Sequence, residues 1–183
     1  TLSRVATVDS IRVGPSFAVG SAAQSAYNDL DKPILRHYHG NEVAVLIEPG
    51  RAVATSLVSG RREIPLDVQE AVIGSGVSGI NAIVVTSRRL LGFSSRTLIW
   101  TEMDCELHEK VLDRLVLPTF SVVRTDKHLY GFRGANGIWL DEALGIRETV
   151  KTTRTTDYGA VFITNERLVG FTSLLGDFSS KTL

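Results

Sequence analysis

Cys105 is the chain's single cysteine, so neither an internal disulfide nor a multi-cysteine metal knuckle can form. One free thiol fits the cytosol, and equally a bacterial periplasm where a buried thiol survives, which leaves a periplasmic or cytoplasmic location open. No excess of charge of either sign exists: 20 basic side chains face 20 acidic ones, for a formal net charge of zero. Nucleic acids and anionic membranes are gripped by clustered Lys and Arg, so neither is an expected partner. No apolar run reaches the roughly 18–20 residues that cross a bilayer, and none has the charged start and apolar middle of a secretion signal. The first residue is Thr1 rather than Met, as in a processed or trimmed chain, and a targeting segment ahead of it is not excluded. What the chain does have is 43% hydrophobic residues in 183, enough for a sizeable core in one soluble domain.

Internal repeats decide the fold before anything else, and one is visible. Residues 83–93 read IVVTSRRLLGF, residues 122–132 VVRTDKHLYGF and residues 161–171 VFITNERLVGF. Thr86, Thr125 and Thr164 stand 39 apart, as do Leu90, Leu129 and Leu168; Gly92, Gly131 and Gly170; and Phe93, Phe132 and Phe171. Seven residues beyond each Phe comes another large aromatic: Trp100, Trp139 and Phe178. A weaker copy at 43–54 sets Pro49-Gly50-Arg51 under Ser87-Arg88-Arg89 at an offset of 38. The repeats therefore run over about 82–120, 121–159 and 160–183, with the weaker one at about 42–81, all within one domain of residues 1–183. Residues 1–41 are expected to form a divergent blade, with Arg4–Val13 as a strand that closes the ring beside the C-terminal segment.

Each unit reads as strands. An apolar run such as Ala82–Val85 is a buried strand, and a polar turn follows it (Ser87-Arg88-Arg89, Asp126-Lys127-His128, Asn165-Glu166-Arg167). A second strand carries Leu-x-Gly-Phe, where a glycine inside a strand marks close backbone approach or a bend. A third holds the Trp. The polar stretches 106–116 and 146–156 then read as an outer strand completing the unit. Residues 106–115 (ELHEKVLDRL) also satisfy helical spacing, but the Thr-rich counterpart one repeat later favours a strand. Residues 21–30 contain good helix formers, which keeps a helix beside a fifth blade as an option there.

The phrase "apolar strand, polar turn, Leu-x-Gly-Phe, short loop, Gly-x-Trp", clearest in LYGFRGANGIW (129–139), resembles blades of pyrroloquinoline-quinone-like and WD40-like β-propellers over roughly residues 42–183. That resemblance implies an all-β, small β-propeller-like repeat domain of about four to five blades of about 39 residues. It carries no chemistry: the quinone enzymes' full blade motif is missing and their ligands cannot be placed, and there is no Trp-Asp pair. A bacterial pleckstrin-homology-like lipid-binding domain carries a phrase like VFITNERLVGF once, whereas here it occurs three times at a period of 39. Stacking explains the period, since one blade cannot bury both of its faces alone.

Candidate chemistry is sparse. His37 and His39 form a His-x-His pair that suits Zn or Cu if a third ligand such as Asp29 or Asp31 joins them. They read more simply as a polar strand end, and no metal or cofactor is expected. His108 and His128 read as surface turn residues, Cys105 as an inert buried thiol, and Ser75–Gly79 as a flexible loop without the Lys of a phosphate loop. The Arg61-Arg62 and Arg88-Arg89 pairs, interspersed with acids, read as solvated turns rather than an anion patch. Four loops (37–41, 75–79, 115–119 and 155–159) gather on one face in a propeller, which nominates His37, His39, Asn81, Thr119 and Tyr158 as a ligand-binding surface. The expected function is a non-catalytic binding or assembly module that presents a loop face to a protein partner. A small hydrolase or lyase at the channel mouth and a sugar- or lipid-binding module with repeated pockets are the alternatives. A small ligand and a homo-oligomer that completes the ring both remain compatible with the sequence.

Overall fold

The computed structural model describes residues 36–39, 42–57 and 60–183. Among these residues there is no helix. The strands form four antiparallel sheets of four, each a meander in chain order. Sheet I holds β1 (Arg36–His39), β2 (Val43–Glu48), β3 (Arg51–Ser56) and β4 (Gly60–Pro65). Sheet II holds β5 (Val72–Ser78), β6 (Asn81–Thr86), β7 (Arg89–Ser94) and β8 (Trp100–Asp104). Sheet III holds β9 (Val111–Val116), β10 (Phe120–Thr125), β11 (His128–Arg133) and β12 (Ile138–Ala143). Sheet IV holds β13 (Val150–Thr155), β14 (Gly159–Thr164), β15 (Arg167–Thr172) and β16 (Asp177–Thr182).

The fold is a β-propeller-like stack of four blades, and the apolar runs show why. Residues of β6 and β7 alternate between the two faces of sheet II, and both faces are covered. Ala82, Val84, Leu91 and Phe93 meet Val43, Val45, Ala52 and Ala54 of sheet I. Ile83, Val85 and Leu90 meet Val123, Tyr130, Phe132 and Trp139 of sheet III. The other face of sheet III, with Phe120, Val122 and Leu129, meets Ala160, Phe162, Val169 and Phe171 of sheet IV.

The repeated glycine seats the next sheet's phenylalanine. A Cβ on Gly92 would lie 2.4 Å from the Phe132 ring, and one on Gly131 would lie 2.3 Å from the Phe171 ring. The constant spacing between the two aromatics follows from hairpin register. Phe93 pairs with Trp100, Phe132 with Trp139 and Phe171 with Phe178 on adjacent strands, with ring centroids 5.3, 5.0 and 4.9 Å apart. Burying one such ring stabilises by about 1.5–3 kcal/mol.

Two expectations need correction. The polar stretch does not complete its own unit as an outer strand. Val111–Val116 pairs with Phe120–Thr125, and Val150–Thr155 with Gly159–Thr164, so each opens the sheet that follows. Residues 106–110 are not strand but the turn that carries the chain between sheets, and 111–116 is a strand rather than a helix. Asp177–Thr182 is therefore the fourth strand of the last sheet. Arg4–Val13 and the helix option at 21–30 lie outside the described residues. At the weaker copy, the offset of 38 holds: Glu48 pairs with Arg51 around Pro49-Gly50, where sheet II turns through Ser87-Arg88.

Gly131→Ala should lower stability by about 1–3 kcal/mol because the Phe171 ring has nowhere to go. Gly170→Ala should be nearly neutral, since its Cβ would meet only Ser179, with Oγ at 3.2 Å and the backbone oxygen at 3.8 Å. Urea denaturation of the two variants checks the contrast.

Candidate functional site

The stack has two ends, one at the crossover turns and the other at the β5–β6, β9–β10 and β13–β14 turns. At the crossover end the chain passes from each sheet to the next through Leu66–Ala71, Cys105–Lys110 and Leu144–Thr149. Each contains one tight turn: the N–H of Glu70 donates to Asp67 O at 2.9 Å, that of Glu109 to Glu106 O at 3.1 Å and that of Glu148 to Gly145 O at 2.8 Å. The same glutamates reach back with their carboxylates, accepting from the N–H of Asp67 at 3.1 Å, Glu106 at 2.8 Å and Gly145 at 2.8 Å. Their side chains are fully or almost fully buried.

Each buried carboxylate is received by the threonine column of the following sheet. Thr86 Oγ1 donates to Glu70 Oε1 at 2.7 Å, Thr125 donates to Glu109, and Thr164 is bonded to Glu148. The same hydroxyls accept from the hairpin, closing the polar turn from Arg89 N at 3.0 Å, His128 N at 2.8 Å and Arg167 N at 2.8 Å. The first residue of the next strand supplies the countercharge. Arg89 Nε and Arg167 Nε lie 2.9 Å from Glu70 and Glu148. Each also donates to the carbonyl that ends the preceding sheet, Pro65 O at 2.9 Å and Ala143 O at 2.5 Å. In the middle copy the arginine is His128, with Nδ1 3.1 Å from Glu109, and Tyr130 Oη supplies a second bond to Glu109 at 2.8 Å. Leu91 and Val169 stand at the Tyr130 position in the copies that carry arginine.

These bonds set the electrostatics. Burial alone would raise the Glu70 carboxyl. Hydrogen bonds from Arg89, Thr86 and the Asp67 N–H, with the Arg89 charge, outweigh it and hold Glu70 at about 2. Glu109 and Glu148 move the same way: burial opposes, and hydrogen bonds from Thr125 and Tyr130, or from Arg167 and Gly145, prevail. The hydrogen bond to Glu70 holds Arg89 above the usual guanidinium range. Burial, then the bond to Glu109, raises the Tyr130 phenol. Cys105 is half-buried, and burial with Glu109 and Asp104 nearby pushes its thiol up to about 11, the opposite of an activated nucleophile.

Held on these locked turns are three exposed aliphatic side chains, Val68 at 104%, Leu107 at 80% and Ile146 at 105% exposure, each one repeat from the next. A register shift near the start of β5, β9 and β13 recurs with the same period and turns Ile73 and Leu112 outward beside them. Arg88 pairs with Asp67 at 2.8 Å and Lys127 with Glu106 at 2.9 Å, so charges are matched beside Val68 and Leu107.

The opposite end holds the residues nominated from sequence. Asn81 is wholly buried. Its Nδ2 donates to Leu117 O at 2.8 Å and Ser78 O at 3.1 Å, and its Oδ1 accepts from Ser121, so its polar atoms clasp sheet II to sheet III. Thr119 Oγ1 donates to Asp157 O at 2.5 Å, tying sheet III to sheet IV. Tyr158 is exposed, and its carbonyl accepts from Ser173 N at 2.8 Å. His37 and His39 lie two positions apart on β1, opposite Leu46 and Ala44. Asp29 and Asp31 lie outside the described residues. Thr119 and Tyr158 meet at neighbouring loops through Ser173, whereas Asn81 serves the junction. His108 is an exposed turn residue as expected, with φ of 64°. His128 and Arg89 are not solvated turn residues: they open strands and face buried carboxylates. Arg61 pairs with Glu63 at 2.8 Å. The glutamate column and the aliphatic column were both present in the sequence at the repeat period, and Leu107, Glu109, Ile146 and Glu148 lay inside stretches read as polar strands.

No protein-family model and no curated protein matches the chain. Among solved structures it is similar to HIRA residues 644–1017, with 12% identity, TM-score 0.49, and 81% of this chain against 56% of that one. It is also similar to a chain in the complex of Kap60 with yeast RCC1 (Prp20), with 8% identity, TM-score 0.46, and 74% against 42%. The N-terminal domain of Nup159 matches with 14% identity, TM-score 0.41, and 80% against 43%. The chain thus spans about half the length of these structures or less. At these TM-scores the likenesses add nothing to what the sheets and junctions establish.

Two outcomes are expected. Glu70 ionises at about 2 in the folded chain against 4.5 ordinarily, so its stabilisation is complete above pH 4.5 and disappears as pH falls from 4.5 to about 2. Urea midpoints should drop across that window. Glu70→Gln should be weaker by about 3 kcal/mol at pH 7, since it leaves Arg89 without its buried partner, and should lose less across the window. Thiol-reagent titration of Cys105 should be slow at pH 7.5 and accelerate only on unfolding; rapid native-state labelling would contradict the burial assigned to it.

Proposed function

We propose that the chain is a non-catalytic binding or assembly module that docks a protein partner on the crossover-turn end. The observation that carries this reading is the row of Val68, Leu107 and Ile146. Three large aliphatic side chains stand in water on three equivalent turns, and each turn is pinned by a buried glutamate. Such side chains gain from burial, and a pinned turn has already lost the entropy that a loose loop would lose on binding. The ion pairs beside Val68 and Leu107 suit a partner with an apolar stripe rather than a polyanion. The titratable groups best placed for chemistry, Glu70, Glu109 and Glu148, are each committed to threonine and to arginine or histidine. That commitment weighs against the hydrolase or lyase reading. The likeness to pyrroloquinoline-quinone-like or WD40-like blades is supported at the level of Leu-x-Gly-Phe and the paired aromatic.

The loop surface nominated from sequence (His37, His39, Asn81, Thr119, Tyr158) stays the second reading, supported by the exposure of Tyr158. A photo-crosslinking residue placed singly at 107, 146 or 158 in the native host extract separates the two. Crosslinks to one common protein from positions 107 and 146, abolished in both cases by Val68→Ser, are expected. Crosslinks from position 158 alone would move the interface to the other end.

A further inference from the structure

The outward face of sheet IV repeats, position for position, a surface that is covered everywhere else. Val161, Leu168 and Gly170 stand one repeat beyond Val122, Leu129 and Gly131, which receive sheet IV, and two repeats beyond Ile83, Leu90 and Gly92, which receive sheet III. In those junctions the two apolar residues are buried and the glycine lies under a phenylalanine ring. On sheet IV, Val161 is 42% exposed and Leu168 half-buried. Among the described residues no ring lies against Gly170.

We infer that this face is a docking surface for a further four-stranded sheet of the same repeat, whose phenylalanine seats on Gly170. The inference concerns a different surface from the crossover-turn row and does not depend on it. Continuity of the junction identifies the occupant. The junctions of sheets II with III and III with IV use one mode of association, a glycine on one sheet under a phenylalanine of the next, and Gly170 offers that glycine again. The chain's own first sheet does not fit as the incoming blade in a second copy. At an offset of 38 it presents Thr55 where sheet II presents Phe93. The occupant must bring the ring that Thr55 lacks. The adjoining positions on β16, Ser179 and Lys181, are polar, which confines the apolar contact to the strip on β14 and β15.

The test is to append a second copy of residues 144–182, one full repeat that already folds against Gly131, directly after Thr182. Ring-current displacement of the Val161 and Leu168 methyl resonances is expected, together with protease resistance of the appended unit. Opening of β14 and β15, read by amide exchange, should slow about 100-fold or more. Both Gly170→Leu and alanine at the appended unit's copy of Phe171 should abolish these changes. Gly170→Leu in the unextended chain should leave its melting temperature unchanged, which shows that the variant folds. An appended unit that stays protease-sensitive with unshifted Val161 and Leu168 methyls would overturn the inference. So would methyl shifts that survive Gly170→Leu.

Discussion

A phenylalanine ring resting on a bare glycine backbone is the contact that spaces the blades. Phe132 lies on Gly92 and Phe171 on Gly131 so closely that a single added carbon would overlap the ring. Sheets stacked on side chains alone stand farther apart; removing one side chain at the centre lets a whole aromatic enter and fills the wedge between twisted sheets. The Trp or Phe directly across the hairpin then packs against that ring as an ordinary tilted aromatic pair. The remaining apolar contacts follow from this spacing.

Hydrogen bonding at the crossover end keeps the stack in register. The chain must leave one sheet at its last strand and enter the next at its first, over the polar hairpin turn, and a buried glutamate ties the crossing to that turn. The carboxylate is kept ionised by threonine and backbone N–H groups, and at Glu70 and Glu148 by an arginine whose charge matches its own inside the protein. The middle junction shows that the arrangement tolerates a different chemistry. His128 has less reach than an arginine and fewer donors, and Tyr130 supplies the bond that is lost, where the other copies carry Leu91 and Val169. A consequence for binding is that Val68, Leu107 and Ile146 are displayed on turns with little freedom to rearrange.

Much of the fold was legible because its determinants are columns. The threonine, leucine, glycine and phenylalanine positions each recur once per repeat. Thr86, Thr125 and Thr164 close the β6–β7, β10–β11 and β14–β15 turns in the same way, and Gly92 and Gly131 do the same work beneath the next sheet's ring. The blade boundary was less legible. The polar strand Val111–Val116 is only half-covered and carries no apolar alternation, so the sequence does not say whether it closes one sheet or opens the next. Only the pairing of Val122 with Leu115 decides it. The candidate site was less legible still. Asn81 and Thr119 are polar loop residues by type, and nothing in their identity distinguishes a ligand contact from a clasp onto the neighbouring sheet's carbonyls. Glu109 and Glu148 were hidden for the opposite reason: a charged residue between two other polar ones reads as solvated until the threonine and the histidine or arginine that bury it are brought together.

The account rests on the coupling between a glycine and the ring it seats, and a double-mutant cycle measures that coupling directly. Gly131→Ala, Phe171→Leu and the double variant would be compared by urea denaturation. A smaller, more adaptable leucine should relieve much of the clash with the alanine methyl, giving a coupling of about 1 kcal/mol or more in favour of the double variant. Strict additivity of the two substitutions would mean that the ring and the glycine do not depend on each other, and would contradict the account.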